Sequence, residues 1–115
     1  MNVELKSSDA SANPYIALGG VIAAGLDGIE RGLTLAPPVT VDPHTMDEQQ
    51  RKAIGADRLP QSLKEAVGNL KRDRVLMEAL GERLSTSYVA VKELDIEAFA
   101  GQDETFEFRQ HIYKY

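Results

Sequence analysis

The feature that most constrains the fold is an apolar segment that follows a strong helix start. Asn13 can cap a helix, and Pro14 at the first helical position gives up no needed donor, so the sequence predicts a helix over residues 13–32. Residues 15–26 carry no charge, so this helix should be buried on all sides. Each glycine inside a helix weakens it by about 1 kcal/mol relative to alanine. Several glycines in one helix therefore predict that other backbone approaches it closely and that burial offsets this cost. Four lie here: Gly19, Gly20, Gly25 and Gly28.

The segments on either side of this helix differ in character. Polar and apolar side chains alternate near the N-terminus, which predicts a strand over residues 1–6. A single strand leaves backbone groups unpaired, so it would need a sheet supplied from elsewhere. Residues 33–60 hold four of the five prolines and lack periodicity, which predicts an extended connection with at most one helical turn.

Residues 61–115 are predicted to form short helices and a tail. Ser62 and Glu65 have the spacing of a capping box for a helix over residues 63–70. Asp73 can cap a second helix that Gly81 would stop, and apolar residues at helical spacing predict a third helix to about Phe99. A last helix would open at Asp103. The predicted fold class is mainly α, with about four helices plus one N-terminal strand.

Charge and composition exclude several classes of function. The net charge is −5, whereas proteins that bind nucleic acid or anionic membranes need a basic surface. The absence of cysteine removes thiolate nucleophiles and cysteine zinc sites, and it fits a cytoplasmic protein. His44 and His111 have no partner at metal-ligand spacing, so both are expected to be solvated.

Several motifs together resemble the glutamine synthetase family. An acid-bearing segment and a short link with Asp9 lead into Ala-Asn-Pro-Tyr at residues 12–15, and Ala-Gly-Leu-Asp-Gly follows at residues 24–28. The likeness resumes with Leu-Pro-Gln-Ser-Leu-Lys-Glu-Ala at residues 59–66 and reaches the aromatic and basic tail at residues 111–115. The residues near the N-terminus are most similar to those of the branch that includes nodulin-fusion synthetase-like proteins and relatives acting on amines.

The resemblance implies that residues 1–115 are the C-terminal part of an α/β catalytic domain. Members of the family use ATP to phosphorylate the side-chain carboxylate of glutamate, and ammonia then displaces the phosphate. Mg²⁺ or Mn²⁺ neutralises the phosphoryl oxygens in such a reaction. Family members also assemble as homo-oligomers, and the same state is expected for the complete protein.

The resemblance also assigns two site residues and no catalytic residue. Glu4 occupies the position of a metal-ligating glutamate, although a lone glutamate on a strand is more often a surface acid. Lys6 occupies the position of an arginine that contacts the substrate carboxylate, and a lysine offers a point charge instead of a bidentate fork. An ordinary edge-strand lysine is the alternative. Asn2 replaces a second family arginine.

The chain lacks most of what the reaction needs. The nucleotide pocket and the other metal ligands of the family precede this segment, so the chain should be inactive alone and bind neither ATP nor metal tightly. Its expected partner is the remainder of the catalytic domain or a full-length synthetase. Two alternatives remain open at this stage: a stand-alone remnant that binds a full-length synthetase, and a helical interaction module without activity.

Overall fold

The computed structural model describes residues 4–9 and 12–113, and it is mainly α, as the sequence predicts. Five α-helices and one short 3₁₀ turn make up the described part of the chain. In chain order these are α1 (Pro14–Glu30), the 3₁₀ turn (Pro43–Thr45), α2 (Glu48–Ala53), α3 (Leu63–Arg72), α4 (Arg74–Phe99) and α5 (Glu104–His111).

The predicted N-terminal strand is wrong. Within the described residues there is no strand; Glu4 and Leu5 have no regular secondary structure, and Lys6 opens a turn. Residues 1–3 of the predicted strand lie outside the described part. The physical reason is that alternation of polar and apolar side chains allows a strand but is not enough to form one. A strand also needs a neighbouring strand that pairs with its backbone groups. No element among the described residues offers one.

Helix α1 begins and ends with local signals. The Asn13 side-chain oxygen accepts hydrogen bonds from the backbone N–H groups of Tyr15 (3.0 Å) and Ile16 (3.3 Å). At the other end Gly32 adopts a φ of +61°, a left-handed conformation that glycine reaches without penalty. The Leu33 N–H then donates to the carbonyl of Gly28 at 2.9 Å, which completes a Schellman motif.

Helices α3 and α4 have the N-caps that the sequence predicts, and α4 consists of two helical segments that meet at Gly81. The hydroxyl of Ser62 accepts from the Glu65 N–H at 3.1 Å, and the Asp73 carboxylate accepts from the Leu76 N–H at 3.0 Å. Gly81 has φ 72° and ψ 158°, so the helix is interrupted at that residue. It resumes at once and continues to Phe99. Gly81 therefore forms a kink, and the predicted break in the helix is limited to this one residue.

The packing is centred on α4, against which both α1 and α3 lie. Among the described residues, Val67 of α3 and Ser85 of α4 are buried from solvent. Lys71 of α3 also pairs with Glu93 of α4, with 2.8 Å between Nζ and Oε1. At the C-terminal end of α4, Phe99 meets Phe106 of α5 edge to face, with 5.3 Å between ring centroids.

The two sides of α1 differ in how far they are buried. Its half-buried residues include Ile16, Gly20 and Ala23, which recur at helical spacing on one face. A Cβ atom at Gly20 would lie 3.9 Å from a Leu76 methyl group of α4, so this face of α1 contacts α4 at Gly20. Although the sequence predicts that α1 is buried on all sides, none of its residues is fully buried within the described part of the chain.

Candidate functional site

The structure brings the two residues of the predicted site together. The Lys6 ammonium lies 3.2 Å from a carboxylate oxygen of Glu4 (Nζ to Oε2), and the two side chains are 85% and 60% exposed. Ion pairs this exposed contribute about 0–1 kcal/mol to stability, because water screens them and two long side chains must be ordered. The pair therefore adds little to folding, and both charges are accessible from solvent. Asn2 lies outside the described residues.

The segment that carries this pair is followed along the chain by α1. After the turn that begins at Lys6, the Ala12 N–H donates to the Asp9 carbonyl at 3.1 Å. Asn13 then caps α1 through its side chain. The Glu4–Lys6 segment thus lies close along the chain to the first turn of α1.

A carboxylate oxygen such as that of Glu4 is a suitable ligand for Mg²⁺ or Mn²⁺, which are hard ions that prefer oxygen. Mg²⁺ demands close to octahedral coordination, so one carboxylate can be only one of several ligands. Within residues 4–9 and 12–113, no group of three or more His, Cys, Asp or Glu side chains could hold a metal ion. Glu4 fits the chemistry of the ion but supplies one ligand.

A concave region formed by other residues was not predicted from the sequence. A cleft of about 770 Å³ lies between the start of α3, the end of α4 and α5. Lys92 and Asp95 pair on its wall, with 2.9 Å between Nζ and Oδ2. The Lys-x-x-Asp spacing is a signal for a helical ion pair, but nothing local in the sequence shows that α5 folds back to close a cleft.

The two histidines have different environments. His44 lies in the 3₁₀ turn, where its backbone N–H donates to the Asp42 carboxylate at 2.9 Å. His111 is half-buried, and its ring stacks on Phe99 with 5.3 Å between centroids and 20° between planes. The prediction that His111 is solvated is therefore wrong, because the return of α5 against α4 covers it.

Two residues of α2, Glu48 and Lys52, have shifted pKa values. The pKa of Glu48 is lowered by a hydrogen bond from the Lys52 side chain and by the charge of the same ammonium. The pKa of Lys52 is raised by its hydrogen bond to Glu48 and by the carboxylate charge. These residues are four apart on one exposed helix face, which is the arrangement of an ordinary helical ion pair.

Across the described part of the chain, no helix has the length and apolar character needed to span a membrane.

Comparison with known proteins connects these observations. A model of the family described as glutamine synthetase, catalytic domain, matches residues 1–111. The chain is 36% identical over 111 residues to a glutamine synthetase of Thermotoga maritima and 33% identical over 110 residues to one of Methanococcus maripaludis. It is 40% identical over 114 residues to a gamma-glutamylpolyamine synthetase of Streptomyces coelicolor.

These alignments cover nearly all of this chain but a small part of each relative. They include 96% of the chain for both glutamine synthetases and 99% for the polyamine enzyme. The matched part is 25%, 25% and 24% of the respective relatives. The chain therefore spans about a quarter of the length of the curated relatives that it matches.

Proposed function

The chain belongs to the glutamine synthetase catalytic-domain family, as its residue pattern predicts, and we propose that it is the C-terminal part of an ATP-dependent carboxylate–amine ligase. The observation that carries this proposal is the family match over residues 1–111. The complete enzyme would transfer the γ-phosphoryl group of ATP to the side-chain carboxylate of glutamate. Ammonia or an amine would then displace the phosphate and leave an amide.

Within such an enzyme, the residues of this chain would supply charge at two points. Glu4 would be one oxygen ligand of Mg²⁺ or Mn²⁺, and a bound divalent ion would neutralise the phosphoryl oxygens. Lys6 would attract the substrate carboxylate. The support is their family position, their exposure and the 3.2 Å distance between Lys6 Nζ and Glu4 Oε2. ATP would be held by parts of the enzyme outside this chain.

Alone, the chain would not catalyse and would bind neither ATP nor metal tightly, because one carboxylate and one ammonium cannot position three substrates. The complete protein would be a cytoplasmic homo-oligomer, since such assembly is general in the family. Residues 1–115 would act as one unit of its catalytic domain. The alternative is a chain that binds a full-length synthetase as a separate helical module.

An amine is a second candidate for the acceptor. The 40% identity to the gamma-glutamylpolyamine synthetase exceeds the 36% and 33% identities to the two glutamine synthetases. A lysine at position 6 also holds a carboxylate less rigidly than the family arginine, which leaves room for altered substrate geometry. Comparing amide formation with ammonia and with a polyamine distinguishes the two acceptors.

The proposed function can be tested in a chimera. The matching quarter of the Thermotoga maritima glutamine synthetase is replaced by this chain, and phosphate release is measured with ATP, Mg²⁺, glutamate and ammonia, and again with a polyamine. Turnover by the chimera supports the proposal. Turnover by the 115-residue chain alone, at even about 1 s⁻¹, would contradict its assignment as an incomplete segment.

The role of Glu4 is tested by Glu4→Ala in the chimera. Loss of a metal ligand should lower turnover about 100-fold at modest Mg²⁺, with little change in the unfolding midpoint. Glu78→Ala is the matched control, because Glu78 is also exposed and paired with a cation, Arg74. Equal turnover of the two variants would exclude a ligand role.

The role of Lys6 is tested by Lys6→Ala. Because a charge-assisted contact to a carboxylate contributes about 1.5–3 kcal/mol, the KM for glutamate should rise at least about tenfold. Lys52→Ala removes another exposed, ion-paired lysine and should leave this KM unchanged. An unchanged KM in Lys6→Ala would indicate a surface lysine.

A further inference from the structure

The outward side of α1 carries a continuous row of large apolar side chains. They recur three or four residues apart, which places them on one face of the helix over about 17 Å. We call this row the α1 stripe. Their exposed fractions range from 41% to 78%. It consists of Leu18, Val21, Ile22, Leu26 and Ile29.

The stripe faces away from α4. The opposite face of α1, with Ile16, Gly20 and Ala23, is the half-buried one that contacts α4. The helix thus presents Ile16 and small residues to its own chain and most of its large apolar residues to solvent. This is the reverse of the usual surface helix, whose apolar face covers the core. A row of this length marks a contact surface rather than scattered exposed residues.

Gly25 lies within the stripe and has no evident purpose in the chain itself. No atom lies within 4 Å of the position that a Cβ would take there. Glycine weakens a helix relative to alanine, so a glycine at an open helical position indicates a neighbour that approaches closely in the complete assembly.

We propose that the α1 stripe docks on an apolar surface of the part of a glutamine synthetase catalytic domain that lies outside this chain. This inference rests on the proposed function. About three quarters of the length of each relative lies outside the part that this chain matches, and this remainder would hold the missing surface. The Glu4–Lys6 segment closely precedes α1 in the sequence, so docking of the stripe would bring that segment near the other ligands of the site. A second copy would bring only the same two charges.

The test compares one substitution in two settings. Leu18→Asp places a charge in the stripe, and Leu35→Asp is the matched control in the connection; these leucines are 61% and 93% exposed. Unfolding midpoints are measured for the 115-residue chain at micromolar concentration, with light scattering, and for the chimera with the Thermotoga maritima synthetase. In the isolated chain both variants should unfold within about 2 °C of the parent. In the chimera Leu18→Asp alone should lower the midpoint by roughly 5–10 °C.

Two other results of the stability measurements overturn the inference. If Leu18→Asp is as silent in the chimera as Leu35→Asp, the stripe does not dock there. If it destabilises the isolated chain only where light scattering shows a dimer, the occupant is a second copy. Turnover of the unsubstituted chimera is read separately. An inactive chimera that Leu18→Asp still destabilises would reject the proposed function and retain the docking surface, and an active chimera insensitive to Leu18→Asp would do the opposite.

Discussion

The two helices that pack on α4 do so in opposite ways. Helix α3 is amphipathic and turns Val67 into the contact with α4, where it is 6% exposed. Helix α1 is far more apolar, yet none of its residues is buried and its largest side chains point to solvent. Apolar content therefore does not predict burial here; the available partner surface decides it.

The difference has an energetic consequence. Fully burying an aliphatic side chain stabilises a fold by about 1.5–3 kcal/mol relative to leaving it exposed. The five side chains of the α1 stripe are about half exposed, so on the order of 5 kcal/mol of burial is not realised within this chain. The α3–α4 contact is complete within the chain, whereas the contact of α1 is complete on one side only.

The largest expected effect comes from placing the same charge on both helices of the isolated chain. Val67→Asp would bury an unpaired carboxylate and should lower the free energy of unfolding by about 3 kcal/mol. Val21→Asp, on the stripe, should cost less than about 1 kcal/mol, because its carboxylate stays hydrated. Urea unfolding followed by circular dichroism measures both. A loss at Val21 as large as at Val67 would mean that α1 is as buried as α3.

A smaller effect is expected at Gly81, the kink of α4. Its φ of 72° with ψ of 158° falls in a region that residues with a Cβ rarely occupy, so Gly81→Ala should cost about 2 kcal/mol. The kink separates Leu76, near α1, from Glu93, which pairs with α3, so the substitution tests whether both contacts depend on one bend. Chemical denaturation with Gly19→Ala as the control decides it. A neutral Gly81→Ala would show that α4 can straighten without loss.

The same contrast explains what the sequence could predict. The caps at Asn13, Ser62, Asp73 and Asp103 all form, because each joins a side chain to backbone two or three residues away. Such contacts depend on local spacing alone. The predicted strand over residues 1–6 failed because strand pairing depends on a distant partner. The stacking of His111 on Phe99 was missed for the same reason, since it requires the return of α5.

The candidate site was predictable only in part. The spacing of Glu4 and Lys6 brings their charges within 3.2 Å, and the family resemblance suggests their roles. The spacing of residues in the sequence does not show which surface would complete the site. Most of the length of the relatives lies outside the part that this chain matches. The exposed stripe of α1 became visible only when the structure showed which face of the helix contacts α4.

The smallest expected effect has the opposite sign. Gly25→Ala should raise the free energy of unfolding of the isolated chain by about 0.5–1 kcal/mol, because alanine favours the helix and its Cβ would meet no atom within 4 Å. The midpoint should rise by about 4 °C. In the chimera the gain should disappear, since a methyl group would stand where a neighbouring backbone approaches the stripe. Thermal unfolding of the two parents and the two variants gives the comparison. A loss of stability in the isolated chain would show that Gly25 serves a contact within these 115 residues, and α1 would then resemble α3 in being complete without further protein.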